Sequence, residues 1–254
     1  MDINKDLIKT KGIVLSEVRY RESSKIIDLF TKNRGRINVF VYGALRPNNN
    51  LMLVTEKFVE SDFVLVKNKN SFNIKSADII NSNIELGKKP KNYIIAELVS
   101  ELLLKTMPDN LVDEVVYDLS TSTLNALKLG DVDGNLIKIG FMLKYISIIG
   151  FRPHLSNCVS CRTTNLNGLY FSPEVGGLIC GNCLEIVEDY DKLNKIELET
   201  IIKFLLGKYE DYKEFDIDID TQRKLEKIIY KYVIYNTELT DLESRKKFIK
   251  LFEI

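Results

Sequence analysis

The sequence predicts an α+β chain: an amino-terminal five-stranded OB-fold barrel, then a helical domain with an inserted four-cysteine zinc knuckle. Three observations point there. β-rich, partly alternating runs fill the first 80 or so residues; the apolar period turns helical after about residue 85; and two C-x-x-C pairs at 158–183 hold all four cysteines of the 254-residue chain.

The strands come first. "KGIVLSEVRY" (11–20) and "SKIIDLFT" (24–31) are β-rich and separated by a short polar turn. "RINVFVYGAL" (36–45) follows "NRG" and places Ile37, Val39 and Val41 on one face. "KFVESDFVLVKN" (57–68) and "SFNIKSADII" (71–80) are joined by the turn-forming "NKN". Five short strands in this length suit a small OB-type barrel, with an SH3-like barrel as the rival arrangement.

Six helices follow. Pro90 suits the first position of "KNYIIAELVSELLLKTM". "LVDEVVYDLSTSTLNALKL" stops at Gly130 and "NLIKIGFMLKYISII" at Gly150. Beyond the cysteines, "NKIELETIIKFLLG" opens with Asn194 and Glu197 at capping-box spacing and stops at Gly207. "TQRKLEKIIYKYVIYNTE" and "LESRKKFIKLF" complete the set. The expected domains are 1–82 and 83–254, with the knuckle at about 152–186.

Composition is 45% hydrophobic and 28% charged, ordinary for a globular protein. No 18-residue apolar run exists, so no membrane span or membrane partner is expected, and "MDINKDLIKT" lacks the apolar core of a secretion signal. The expected location is cytoplasmic and nucleoid-associated. Net charge is zero but unevenly spread. Residues 1–80 hold 14 Lys and Arg against 9 Asp and Glu, and the remainder holds 22 against 27. A basic amino-terminal domain implies an anionic partner.

In a reducing compartment, paired C-x-x-C motifs point to metal rather than disulfides. Cys158 and Cys161 form one pair, Cys180 and Cys183 the other, 18 residues apart. That spacing suits one structural Zn2+ per chain. Thiolates three residues apart on a tight turn converge on one ion, and two such turns complete a closed tetrahedron with no open position for a reacting water. Gly181 is expected to ease the second turn. His154, the single histidine, reads as a polar loop residue because the ligand set is already full. "DVDGN" (131–135) fails as a calcium loop: its glycine is misplaced, and Met142 stands where a ligating Glu belongs. No phosphate loop or nucleophile–His–acid set is present, so no catalytic residues are assigned and the chain does not read as an enzyme.

"RYRESSKIIDLFTKNRGRINVFVYGALRP" interleaves cations with aromatics. The DNA-contact candidates are Arg19, Lys25, Lys32, Arg34, Arg36 and Arg46; Arg21 belongs to the same cluster. Tyr20 and Tyr42 are the candidates for base stacking, while Phe30 and Phe40 are expected to fill the barrel core.

That stretch, with the cysteine region "LKYISIIGFRPHLSNCVSCRTTNLNGLYFSPEVGGLICGNC" and a weaker "LESRKKFI", resembles the RecO family of bacterial DNA repair proteins in the right order over nearly the whole chain. The resemblance implies an OB-fold, a helical domain with a zinc knuckle, and a non-enzymatic recombination mediator. It further implies binding of single- and double-stranded DNA, annealing of complementary strands, and work with RecR, RecF and RecA on DNA coated by single-stranded DNA-binding protein. The family carries further cations around the "GA" of the third strand, where Tyr42 and Leu45 stand here. A coating protein ends in an acidic tail, and Arg245, Lys246, Lys247 and Phe248 are candidates to hold it. The rival readings are a zinc-ribbon protein adaptor with incidental DNA binding, and a metal-dependent nuclease.

Overall fold

The computed structural model describes residues 7–47, 49–68, 71–166 and 168–252. Most of the "NKN" turn and the first six residues lie outside these. Strands Leu7–Tyr20 (β1), Ser24–Thr31 (β2), Gly35–Val41 (β3), Glu60–Lys67 (β4) and Phe72–Asn81 (β5) close into a barrel in the order β1-β2-β3-β5-β4. All neighbours are antiparallel except β3 and β5. This is the OB arrangement the sequence predicts.

Alternation fills the barrel: Val14, Ile27, Leu29, Ile37, Val39, Phe63 and Leu65 point inward and are buried. Full burial of such a side chain contributes about 1.5–3 kcal/mol. Two expectations fail here. Phe30 is buried, but against the ring of Tyr117 at 5.8 Å, outside the barrel core. Phe40 alternates with the inward Val39 and Val41 and so faces outward. β3 also ends at Val41, where a turn closed by Arg46 N–H on the Gly43 carbonyl (3.0 Å) takes over. A four-residue helix that the periodicity does not predict, Leu51–Val54 (α1), is closed by the Thr55 hydroxyl donating to Leu51 O.

The longer helices are Pro90–Thr106 (α2), Glu114–Leu129 (α3), Gly134–Ile148 (α4), Lys195–Leu206 (α5), Ile219–Thr237 (α6) and Glu243–Phe252 (α7). Pro90 occupies the first turn of α2. The capping box of α5 is present: Glu197 N–H donates to Asn194 Oδ1 (2.9 Å), and Asn194 N–H donates to Glu197 Oε2 (2.8 Å). Asn194→Ala is expected to cost about 1 kcal/mol, read as a lower urea midpoint with an unchanged slope. Asp133, from the stretch that fails as a calcium loop, and Asp218 cap α4 and α6 by accepting backbone N–H groups.

The chain divides into two compact units, Met1–Lys128 with Leu242–Ile254, and Leu129–Asp241. In the first, α2 packs on α7 and on β1, so the compact unit runs past the end of the barrel near residue 82. In the second, α4 packs on α5 and α6. The cysteine region there contains a small sheet, β7-β6-β8, built from Leu169–Ser172 (β6), Gly177–Cys180 (β7) and Asp191–Leu193 (β8).

Candidate metal centre and nucleic-acid interface

The four thiols converge. The Sγ atoms of Cys158, Cys161, Cys180 and Cys183 all lie within 4.8 Å of one another, and those of Cys161 and Cys180 are 3.7 Å apart. Tetrahedral Zn–S bonds of about 2.3 Å require sulfurs about 3.8 Å apart, so the donor set fits one ion. β7 carries Cys180 out of the sheet into a 3-10 turn, Gly181–Ile186, holding Cys183. Gly181 does not use the left-handed region there, which corrects its expected role. The first pair sits on a turn in which Arg162 N–H donates to Cys158 O (2.9 Å) and Cys158 N–H to Thr163 O (3.0 Å).

Burial opposes ionisation of Cys158. Hydrogen bonds from the backbone N–H groups of Cys161, Cys180 and Ser160 outweigh it and hold the thiol down to about 6. Those donors favour a thiolate, which is the ligating form. The Gly176–Gly177 pair at the start of β7 has a packing reason: a Cβ on Gly177 would overlap the carbonyl oxygen of His154. The two segments are laced by Leu178 N–H to His154 O and His154 N–H to Gly176 O, each 2.9 Å. The His154 ring interacts with Asn157 and Ser156 and takes no part in the cysteine cluster.

On the barrel, the outer face of β1–β3 carries an apolar and aromatic patch. The register sets Val18 opposite Ile26 and Ile26 opposite Phe40. Phe40 meets Tyr20 edge-on at 5.8 Å and stacks with Tyr42 at 6.3 Å. Val18 is 62% exposed and Tyr42 60%. The guanidinium of Arg21 lies 5.1 Å from the centre of the Tyr20 ring. Leu45 N–H donates to Ser23 O (3.0 Å), tying the loop that bears Arg46 to the β1–β2 turn that bears Arg21. The stacking candidates Tyr20 and Tyr42 lie on this patch, together with Phe40, Val18 and Ile26, which the sequence reading did not place there. The inward set Ile37, Val39 and Val41 already implied Phe40 by alternation.

The six cations separate. Arg19, Arg34 and Arg46 are exposed. Lys25 is 4% exposed and clamped between Glu17 and Glu56, so its charge is spent inside the protein rather than on its surface. Lys32 binds Asp118 (2.9 Å), which raises its pKa. Arg36 binds Asp109 and donates to Leu104 O (2.9 Å), docking β3 on the end of α2. Exposed Arg21 and Arg46 and the Tyr20–Phe40–Tyr42 rings therefore form the cationic aromatic face, whereas Arg19, opposite Lys25, alternates to the other side of β1 and lines a cavity with Glu17, Lys25 and Glu56.

The carboxy-terminal helix corrects another expectation. Phe248 is 1% exposed and packs in the first unit, with Phe252 at 5.4 Å. Lys246 pairs with Glu243 and Lys247 with Glu97. Glu101 of α2 accepts the Glu243 and Ser244 N–H groups at the start of α7 (2.9 Å each). Burial opposes the charge on Glu101, yet the Lys105 and Ser244 hydrogen bonds bring its pKa down to about 2. This helix is thus fastened by Phe248, by the Lys247–Glu97 pair and by Glu101 at its first turn, so Phe248 has no free face for an acidic tail. Arg245 is half-buried.

Known proteins agree with this architecture. The family descriptions "Recombination protein O N terminal" and "Recombination protein O C terminal" match residues 4–83 and 88–246. The DNA repair protein RecO of Alkaliphilus metalliredigens is 28% identical, over 94% of this chain and 97% of its own. Its counterpart in Caldanaerobacter subterraneus is 27% identical over 96% and 98%, and that of Caldicellulosiruptor bescii 31% over 76% and 86%. With a five-stranded OB barrel leading into helices, a converged four-cysteine cluster, and both halves matched in order, the chain belongs to the RecO family of DNA repair proteins.

Proposed function

We propose that this protein is a DNA-binding recombination mediator that works without bond chemistry. The observation that carries the reading is the outward-facing Tyr20–Phe40–Tyr42 cluster on the barrel, flanked by exposed Arg21 and Arg46. Strands 2 and 3 are where OB-folds receive oligonucleotides. Arginines neutralise phosphates and release counterions, while the rings take unstacked bases and leave their pairing edges free. Annealing of complementary strands follows from that arrangement. With RecR and RecF, the protein helps load RecA onto DNA coated by single-stranded DNA-binding protein. The cysteine cluster holds one structural Zn2+. Among the described residues it is the only group of three or more His, Cys, Asp or Glu side chains placed to hold a metal ion, which disfavours a metal-dependent nuclease. No described helix is long and apolar enough to cross a membrane.

Loss of base stacking tests the interface. Phe40→Ala/Tyr42→Ala is expected to weaken single-strand binding by about 1–3 kcal/mol for each base that loses its stacking partner. The salt slope should not move, because no phosphate contact is removed. Arg46→Ala should instead flatten the slope by about 0.7, the increment for one single-strand phosphate. Fluorescence anisotropy across a salt series reads both. Wild-type affinity in the aromatic double variant would refute this face as the DNA site.

A further inference from the structure

Three cations line one turn of the barrel at alternate positions, and their fates differ. Lys32 and Arg36 are each neutralised by a carboxylate, Asp118 and Asp109. Arg34 between them is exposed, and among the described residues no carboxylate lies within ion-pairing distance of it. It borders a groove of about 570 Å³ between the β2–β3 turn and the facing ends of β4 and β5, also lined by Lys67, Asn33, Asn68, Asn110 and Phe72. Lys67 is exposed and likewise without a carboxylate among the described residues.

The groove is held open by its own framework. The Thr31 hydroxyl donates to Gly35 O (2.8 Å), and Asn110 N–H donates to Arg36 O (3.0 Å). Gly35 takes a φ of +66°, and a Cβ there would overlap the Leu111 carbonyl. The turn is therefore pressed against the α2–α3 link, so that link supplies a wall the barrel alone would lack. Two cations and three side-chain amides around a cleft whose floor at Phe72 packs on the barrel core suit a nucleotide chain: cations for phosphates and amides for hydrogen bonds.

This cleft is not a continuation of the aromatic face. Phe40 lies five residues along β3 from Gly35, roughly 17 Å at strand rise. Between them, Asp28 and Asn38 stand opposite one another, and Asp28 accepts from the Ser16 hydroxyl. A phosphodiester chain crossing that carboxylate would be repelled.

We infer that the Arg34–Lys67 groove is a second single-strand site, which holds the complementary strand while the aromatic face holds the first. The inference rests on the DNA-binding reading of that face. Annealing then proceeds between two strands on one barrel, each with its charge screened by its own cations.

The test uses the full-length Arg34→Ala/Lys67→Ala variant, both positions being exposed and outside the core. Two non-complementary oligonucleotides carrying a donor and an acceptor dye report simultaneous occupancy by energy transfer; a complementary pair reports annealing rate. The expected result is first-strand affinity within about twofold of wild type, loss of the energy-transfer signal, and a salt slope of second-strand binding flatter by about 1.4 when two phosphates go unpaired. Annealing should slow at least tenfold. Wild-type energy transfer and annealing in the variant would overturn the proposal. So would a fall in first-strand affinity matching the fall in annealing, which would make the groove part of the first path. Failure of Phe40→Ala/Tyr42→Ala to weaken first-strand binding would refute the aromatic-face reading instead, and is scored separately.

Discussion

Cys158→Ser is expected to abolish metal binding and to lower stability by roughly 3–5 kcal/mol, the scale of removing a native cross-link. Cys158 is fully buried and receives the Cys180 N–H on its sulfur at 3.4 Å. Serine shortens the side chain and supplies a hydroxyl that does not ionise at neutral pH, so the ion loses its most buried ligand. The surrounding apolar cluster is small, Ile179 and Val187 being its other buried members with Cys180. Without the metal, the two cysteine turns are joined only by the short β6–β7 pairing and a few backbone bonds such as Val159 N–H to Leu178 O (2.8 Å). The knuckle, rather than the helices, should therefore melt first. Elemental analysis and thermal unfolding of the variant check both parts; full metal content with an unshifted Tm would show that the cysteines are not a structural site. Single-strand affinity of the variant should stay near wild type, because the aromatic face belongs to the other compact unit.

The sequence is most legible where a local rule has one physical solution. C-x-x-C spacing places two thiols on one turn, and all four sulfurs meet as that spacing requires. Asn194 and Glu197 form their capping box because both bonds lie within one helical turn. Five short β-runs make a small barrel readable, because most of them have one apolar face to bury, while the strand order comes from pairings between distant segments. What is not legible depends on partners distant in sequence. Lys25 resembles Arg19 as a cation in a β-run; only β2 pairing and the α1 region bring Glu17 and Glu56 to it. Asp109, some 70 residues away, decides that Arg36 fastens the barrel while Arg34 does not. Charge composition therefore locates the basic half but cannot sort its members. Phe248 is misread for a related reason: an amphipathic terminal helix shows an apolar stripe whether it docks inward or receives a partner.

The helical unit offers the second large effect. Glu226→Leu is expected to destabilise the protein by about 3–5 kcal/mol, although it replaces a charge by an apolar side chain in a buried place. Glu226 of α6 is 4% exposed and faces Lys138 of α4, which is 1% exposed, with Nζ and Oε1 3.4 Å apart. Lys138 sits in the run "NLIKIGFML", where every neighbour within three residues except Asn135 is apolar or glycine. Removing the carboxylate leaves the ammonium in that environment without its countercharge. Lys138→Met should cost somewhat less than Glu226→Leu: either lone group can become neutral, but at pH 7 a carboxyl is about 2.7 units from its ordinary pKa and an ammonium about 3.4. The double variant Lys138→Met/Glu226→Leu removes both desolvation penalties and leaves apolar side chains to pack α4 on α6. It should recover most of the loss, as apolar replacements of buried ion pairs do. Urea unfolding of the wild type, both singles and the double closes the cycle. A coupling below about 0.5 kcal/mol, the level at which independent sites add, would show that the two charges do not depend on each other and that solvent reaches the pair.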